Sequence, residues 1–398
     1  MIAKKHFLTH AIDTLDLKNK RVLLRADLNV PLDNQKIISD YKLKAILPTI
    51  NMLLDKGAKV ILVTHLGRPK NHDSNLSTQL LAPFFKQRKY KIKFEPDLNK
   101  AIKESLESKF DILLLENIRF FKGERDRSID FAKKLATLSD YFVNDAFGVS
   151  HRDEASTTLV PKLLGIKKSF LGPLIQHELV ALEMLMRHPK HPFTVMLGGG
   201  KVSTKLPMLE KLLSKNKIDT LLLCPAIVFT FLKYMGKKTG NSLVDNTLLP
   251  IIPKILKIAK KQETKILYPI DYLVAKDNFD GPISYIDQNE VPDNFVGISI
   301  GPKTIKLFAQ EINQSKTVFS NGTFGNIKKE KTLEGLKTLF KAMAKSNIYT
   351  VIAGGDSVAA AYMFKTANKI DYLSTGGGAS LAYISGEKLP SLSLFNKN

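Results

Sequence analysis

Arginines and glycine clusters are the residues in this sequence whose types and spacing suit them to binding phosphate. All nine arginines lie at or before residue 187, and lysine supplies the remaining basic side chains. The planar guanidinium of arginine can donate two parallel hydrogen bonds to a phosphate or a carboxylate. Four arginines lie in compact contexts that contain other polar residues or glycine, namely Arg25, Arg68, Arg119 and Arg152. The first half of the chain is therefore predicted to bind a small anion.

Glycine clusters occur instead in the second half, at 197–201 (LGGGK), 353–356 (AGGD) and 374–380 (STGGGAS). Glycines at the start of a helix let backbone N–H groups approach a phosphate closely. Lys201 and Lys205 would share one face of a helix, and the carboxylate of Asp356 could hold Mg²⁺ bound to phosphates. These features favour a nucleotide site. The structural alternatives are a glycine turn and, for Asp356, a plain helix N-cap.

Short apolar runs alternate with amphipathic helical stretches along the chain, a pattern that indicates parallel β-sheets covered by helices on both faces. Helices are predicted at 43–56, 129–138, 205–213 and 332–344. Strands are predicted at 21–26, 60–64, 112–116, 141–144, 193–197, 220–224, 296–299, 317–320 and 349–353. We therefore expect an α/β fold with two doubly wound parallel-sheet domains joined by a helix.

Polar side chains follow four of the predicted strands in the first half. In open α/β sheets, ligands bind beyond the carboxyl ends of the strands. The residues at these ends are Asp27, Asn29, His65, Arg68, Arg119, His151 and Arg152. Such a rim is what a phosphorylated carboxylate needs, whereas any single arginine could equally form a surface ion pair.

The boundary between the two domains is predicted at a helix over 174–188. Pro173 can begin a helix because its missing N–H is not needed there, and Pro189 and Pro192 would end it. The first domain is then 1–173 and the second is 189–383.

The composition is typical of a globular protein of about two domains, with 398 residues, 44% hydrophobic and 25% charged. We see no apolar run long enough for a membrane span and no apolar segment of a secretion signal. The single Cys224 fits a reducing compartment. The net charge of +22 is spread over both halves, so we interpret it as a solvated surface rather than a nucleic-acid site.

Taken together and in order, these motifs resemble those of phosphoglycerate kinases from about residue 12 to the C-terminus. The segments concerned are KRVLLRADLNVPL, GAKVILVTHLGRPK, LLLENIRF, YFVNDAFGVSHR, GGGKVSTK, SNGTFG, AGGDS and STGGGASL. The resemblance implies a cytoplasmic, monomeric glycolytic enzyme that reversibly transfers phosphate from 1,3-bisphosphoglycerate to Mg-ADP, giving 3-phosphoglycerate and ATP. It also implies that a tail at about 384–398 packs on the first domain, and that neither a membrane nor a nucleic acid is a partner.

The same resemblance assigns roles to individual residues. Binding of 3-phosphoglycerate is assigned to Asp27, Asn29, Lys42, His65, Arg68, Arg119 and Arg152. Nucleotide binding is assigned to Gly199, Gly200, Lys201, Lys205, Asn321, Lys328, Gly354, Gly355, Asp356 and Ser357, and Asp356 would also hold Mg²⁺. Catalysis is assigned to Lys42, Arg68, Lys205 and the amides of Gly376, Gly377 and Gly378.

Several positions depart from the family pattern. Near the acid and the phosphates, the family has arginine at Lys42, histidine at Glu154 and aspartate at Thr204. Around the base and ribose, a glycine-rich segment is replaced by 225–228, and the acid that meets the ribose hydroxyls is replaced by Lys328. Thr323 stands in place of a proline and Ala353 in place of a glycine. These changes leave the nucleotide preference open. They also leave two alternatives: a weakened or inactive relative that binds or scaffolds, and a nucleic-acid binder.

Overall fold

The computed structural model describes residues 12, 15–107, 109–345 and 347–396. The described residues divide into two compact units. One unit contains the residues up to Val180 and those from Lys388 onward, and the other is Ala181–Glu387. The division falls within a helix that runs over Pro173–Arg187. None of the described helices combines the length and apolar composition that crossing a lipid bilayer requires.

The first unit is built on a parallel sheet with the strand order β5–β6–β4–β1–β7–β8. Its strands are β1 Arg21–Ala26, β2 Leu32–Asp33, β3 Lys36–Ile37, β4 Lys59–Val63, β5 Ile92–Glu95, β6 Ile112–Leu115, β7 Tyr141–Asp145 and β8 Ser169–Leu171, of which β2 and β3 form a separate hairpin. Its helices are α1 Tyr41–Asp55, α2 Ala82–Lys86, α3 Leu98–Glu104, α4 Lys122–Arg125, α5 Ile129–Ala136, α6 Val160–Leu164 and the start of α7 Pro173–Arg187.

Both faces of this sheet are buried because successive side chains of each strand point to opposite faces. On one face, Val22 and Leu24 of β1 pack in a core that includes Leu43 of α1. On the other face, Leu23 packs in a core that includes Leu135 of α5. This double burial explains why the strands consist of continuous apolar runs.

The second unit repeats this architecture, with a parallel sheet of strand order β11–β10–β9–β15–β16–β17. The strands of the unit are β9 Phe193–Leu197, β10 Thr220–Leu223, β11 Lys265–Leu267, β12 Tyr272–Lys276, β13 Ile283–Ile286, β14 Phe295–Ile300, β15 Thr317–Asn321, β16 Tyr349–Ala353 and β17 Tyr372–Ser374. Its helices are α8 Val202–Lys215, α9 Ile227–Tyr234, α10 Ile252–Lys261, α11 Pro302–Gln314, α12 Glu334–Met343, α13 Gly355–Met363 and α14 Gly378–Ile384. The predicted fold class, two doubly wound α/β units, is confirmed.

One predicted strand belongs to a different kind of sheet from the one expected. The run 296–299 is a strand, but β14 pairs antiparallel with β12, which also pairs antiparallel with β13. The sequence expectation of a parallel strand is wrong here, because an apolar run indicates burial and does not specify the direction of the neighbouring strand.

The C-terminal residues belong to the first unit. A 3₁₀ segment, Pro390–Phe395, buries Leu392 and Phe395. The amide of Ser391 donates to the carbonyl of Ser150 at 3.3 Å, and the carbonyl of Ser391 accepts from Asn144 Nδ2 at 3.4 Å. These bonds hold the tail at the carboxyl end of β7, close to the polar residues that follow that strand.

Candidate functional site

The first group of predicted site residues meets around Asp27, directly after β1. Lys42 Nζ donates to Asp27 Oδ2 at 2.6 Å, and His65 Nε2 lies 4.0 Å from Asp27 Oδ1. Burial alone would raise the pKa of Asp27, but Lys42, together with His65 once it is protonated at low pH, outweighs burial and holds this pKa well below its usual range. Burial lowers the pKa of His65, and Arg119, Arg25 and Lys42 add to that effect against the pull of Asp27. His65 is therefore a neutral imidazole that can donate to, or accept from, a bound acid.

Asn29 and Arg119 shape the loop that follows β4. Asn29 Oδ1 accepts from the amide of Gly67 at 2.8 Å, and Arg119 Nη1 donates to the carbonyl of Gly67 at 2.8 Å. The loop is held from both sides, and the next residue, Arg68, is exposed. Arg68 is close enough to lower the pKa values of His151 and Arg152, after the larger effect of burial on each. The structure thus brings the predicted cationic residues to one edge of the sheet.

Glu154 lies among these cations. Its Oε1 accepts from Arg119 Nη2 at 3.2 Å and lies 3.9 Å from Arg152 Nη1. Burial lowers the pKa of Arg119 to about 10, and Glu154 counters part of that shift. The sequence marked Glu154 only as a departure from the family pattern, and its contacts with two predicted substrate-binding arginines were not anticipated.

A fully buried arginine network behind this cluster was also missed. Arg25, the last residue but one of β1, donates from Nε to Ser156 Oγ at 2.8 Å and from Nη1 to the carbonyl of Ala26 at 2.7 Å. Glu124 accepts from both the amide and the hydroxyl of Ser156. A charge within an apolar strand signals a buried partner, but the side chains of Ser156 and Glu124 lie about a hundred residues or more from Arg25 in the sequence.

In the second unit, Lys205 is the most buried of the predicted cations, with 8% of its surface exposed. It projects from α8, and its Nζ donates to the carbonyl of Gly198 at 2.5 Å and to that of Asn321 at 3.3 Å. Burial, together with Lys201, lowers the pKa of Lys205 to about 8, while Cys224 and Asp356 act in the opposite direction. The ammonium is thus held at the carboxyl ends of β9 and β15.

The glycine loop before α8 is tied to its neighbours through its backbone. The amide of Gly198 donates to the carbonyl of Asn321 at 3.1 Å, and the amide of Gly199 donates to that of Pro225 at 3.0 Å. Gly199 has φ +82°, a conformation that L-residues with a side chain rarely adopt. Gly200 and Lys201, which complete the loop, are exposed.

Asn321 connects the other predicted glycine segments. Its Nδ2 donates to the carbonyls of Ala353 and Gly377, at 3.2 and 3.1 Å. The amide of the following residue, Gly322, donates to Ser357 Oγ at 3.1 Å. A Cβ on Gly377 would lie 3.2 Å from the Cα of Gly354, so the two glycine loops pass very close to each other. The ends of β15, β16 and β17 therefore form one continuous surface.

Two helices begin at this surface, and their first turns are open. Nothing lies within 4 Å of the position that a Cβ on Gly355 or Gly378 would take. Asp356 is exposed in the first turn of α13. The amide of Gly376, by contrast, already donates a hydrogen bond to Ser374 Oγ at 3.1 Å.

The donor set around Asp356 fits a metal that arrives with a nucleotide. Among the described residues, no group of three or more His, Cys, Asp or Glu side chains could hold a metal ion by itself. Mg²⁺ in phosphate-transfer sites uses one or two carboxylates together with phosphate oxygens and water. A single exposed carboxylate at a helix N-terminus suits that mode of binding.

Lys328 lies in the loop after β15, some distance along the chain from the glycine segments. It is exposed, and its amide donates to Asn326 Oδ1 at 3.0 Å. Asn326 in turn donates to the carbonyl of Phe279 and to Asp280 Oδ1. The backbone around Lys328 is therefore fixed by the β12–β13 hairpin, while its side chain faces solvent.

Comparisons with known proteins find one family over nearly the whole chain. The family model for phosphoglycerate kinase matches residues 12–387. The chain is 42% identical to the cytosolic phosphoglycerate kinase of Triticum aestivum over 94% of its own length and 95% of that protein. It is 39% identical to phosphoglycerate kinase of Aquifex aeolicus, over 95% and 96%. The structure of phosphoglycerate kinase from Coxiella burnetii superposes with a TM-score of 0.77 at 33% identity, covering 98% of both chains. The chain therefore belongs to the phosphoglycerate kinase family.

Proposed function

We propose that this protein catalyses reversible transfer of phosphate between 1,3-bisphosphoglycerate and Mg-ADP, giving 3-phosphoglycerate and ATP in glycolysis. The observation that carries the proposal is that one chain holds two complementary sets of groups. The first unit has cations and a neutral imidazole at its strand ends, and the second has Lys205 beside glycine-rich helix starts.

The first set suits a phosphorylated acid. Arg119 and Arg152 would bind its oxygens with charge-assisted hydrogen bonds, and exposed Arg68 would add a mobile cation. Neutral His65 would contribute a hydrogen bond without changing the net charge. Lys42, already paired with Asp27 at 2.6 Å, would share its ammonium between Asp27 and the acid. Together these side chains would fix the position of the acceptor oxygen.

The second set suits nucleotide phosphates. Lys205 would contact the phosphoryl group that moves, and the first-turn amides of α13 and α14 would face phosphate oxygens. Mg²⁺, held by Asp356 when it enters with the nucleotide, would neutralise charge that builds up on the phosphates. Phosphoryl transfer depends mainly on such positioning and charge neutralisation. A general base is not needed, because the acceptor is already an anionic oxygen.

A coupled assay with 1,3-bisphosphoglycerate and ADP tests the proposal, with the Lys205→Met variant as the matched control for contaminating activity. Turnover by the natural protein that the variant lacks is the expected result. Binding of ADP and 3-phosphoglycerate without turnover would instead favour the alternative of an inactive relative with a binding role.

We also propose that the protein acts as a monomer in the cytoplasm. One relative, from Triticum aestivum, is a cytosolic enzyme. A single chain also supplies both the acid-binding and the phosphate-binding groups, so the proposed activity needs no second subunit. Light scattering of the purified protein and fractionation of cells would test these two points separately.

A further inference from the structure

Glu154 is a buried carboxylate in contact with three arginines of the first unit. Its Oε1 lies 3.2 Å from Arg119 Nη2 and 3.9 Å from Arg152 Nη1, and its Oε2 lies 3.9 Å from Arg25 Nη2. Only 5% of Glu154 is exposed, so solvent and salt screen these interactions weakly. Two of the three arginines are those to which substrate binding is attributed above.

This carboxylate occupies donors that a bound acid would otherwise use. Arg119 already gives one Nη1 hydrogen to Gly67 and one Nη2 hydrogen to Glu154. A negative charge at this position also repels an incoming phosphate. Without a ligand, the positive charge of Arg119 and Arg152 is thus partly neutralised by the Glu154 carboxylate.

The network offers Glu154 a second partner. Glu154 Oε2 and Arg25 Nη2 both lack a hydrogen-bond partner within the described part of the chain. Their separation of 3.9 Å is too long for a direct hydrogen bond. Arg25 is therefore a second cation within reach of the Glu154 carboxylate, beside Arg119.

We propose that Glu154 is an internal counter-anion that orients Arg119 and Arg152 and weakens the affinity of the site for phosphorylated acids. The inference rests on the proposed function of this site and adds a positioning residue that tunes it. Glu154 touches the substrate-binding arginines and acts through them.

The test compares Glu154→Gln and Glu154→His with Asp153→Asn. Glutamine keeps the shape and the acceptor toward Arg119 but removes the charge, and histidine is neutral at pH 8. Asp153 is the matched control because it is adjacent and exposed, and it pairs with Arg127 Nε at 2.9 Å. Calorimetry at pH 8 would measure the Kd for 3-phosphoglycerate and, as a simpler probe, for sulfate.

Both Glu154 variants should bind 3-phosphoglycerate about tenfold more tightly, equivalent to about 1.4 kcal/mol, and sulfate should follow in the same direction. KM for 3-phosphoglycerate should fall in parallel, while KM for ATP stays within about twofold. Asp153→Asn should change neither quantity by more than about twofold, because an exposed charge is screened.

Unchanged or weaker acid binding in both folded Glu154 variants would overturn the inference and leave Glu154 a structural residue. Equal tightening by Asp153→Asn would also overturn it, since overall charge would then be the cause. Absence of turnover in the natural protein would refute the proposed function but not the Kd comparison. Absence of binding of either probe to any of the proteins would overturn both.

Discussion

Replacing Ala226 by glycine should stabilise the second unit, because this alanine has a backbone conformation that favours glycine. Ala226 is the N-cap residue of α9, with φ +70° and ψ −57°. Its neighbour Pro225 presents the carbonyl that accepts from the amide of Gly199. The strained turn at Ala226 therefore helps to position the Pro225 carbonyl, which accepts a hydrogen bond from the glycine loop before α8.

The expected size of the effect is the difference between two terms. A residue with a Cβ in such a conformation costs about 1–3 kcal/mol. Glycine removes that cost from the folded state. Its greater freedom in the unfolded chain, however, lowers the free energy of unfolding by about 0.4–1 kcal/mol. Ala226→Gly should therefore raise the free energy of unfolding by about 1 kcal/mol.

Ala353→Gly is the matched control, since the family has glycine at that position as well. Ala353 is the last residue of β16, fully buried, and its φ is negative. At Ala353 there is no backbone strain for glycine to relieve. Glycine within a strand costs about 0.5–1 kcal/mol, and removal of the buried methyl group costs about 0.8 kcal/mol more. The same substitution should therefore destabilise the protein by about 1–2 kcal/mol.

Urea unfolding of the full-length protein, followed by circular dichroism, would measure both variants, with the denaturant slope checked for constancy. Hydrogen exchange of the α9 amides would locate the effect of Ala226→Gly. The urea concentration at the midpoint of unfolding should rise for Ala226→Gly and fall for Ala353→Gly. Destabilisation by Ala226→Gly would show that its backbone is not strained, and would refute the argument.

Three further predictions concern the site. The kcat/KM for the nucleotide should fall as the pH rises through about 8, because the free enzyme then loses the Lys205 proton that pairs with phosphate; a flat pH profile up to about 10 would contradict this role. Arg152→Ala should weaken 3-phosphoglycerate binding by about 1.5–3 kcal/mol in calorimetry and leave ADP binding intact, with exposed Arg127→Ala as the control; loss of ADP binding instead would reverse the assignment of the two units. ADP should be preferred over 2′-deoxy-ADP by less than about tenfold in kcat/KM, because the Lys328 ammonium cannot accept the ribose hydroxyl protons; a larger ratio would mean that other residues contact the ribose.

The sequence predicts the main strands well because both faces of each parallel sheet are buried. Arg21–Ala26, Phe193–Leu197 and Tyr349–Ala353 are found with the predicted bounds. The strand Ile92–Glu95 was not predicted, because its alternating, partly exposed residues do not form an apolar run. Strand partners and their directions depend on the whole chain, and this is why the antiparallel placement of Phe295–Ile300 was not anticipated.

For the candidate site too, the sequence predicts some features and misses others. Residues directly after a strand, such as Asp27 and His65, could be placed from the sequence because parallel strands share a carboxyl edge. The contacts of Arg25 could not, since Glu124 lies in α4 and Glu154 lies well beyond β7, and only the folded chain brings them to Arg25. The sequence thus predicts which polar residues gather at the strand ends, but not the buried charges, such as Glu124 and Glu154, that lie beside them.

The two alanines at family glycine positions show why residue identity alone does not reveal how a site has changed. At Ala353 the backbone is extended, so the methyl group simply packs in the core. At Ala226 the chain keeps a glycine-like turn despite its cost, and Pro225 still accepts from the Gly199 amide. The glycine loop is therefore held in place at Gly199, while Pro225, Ile227 and Val228 add bulk in the neighbouring segment. If the glycine loop binds the phosphates and residues 225–228 meet the base, as proposed, nucleotide affinity should rest mainly on the phosphates and Mg²⁺.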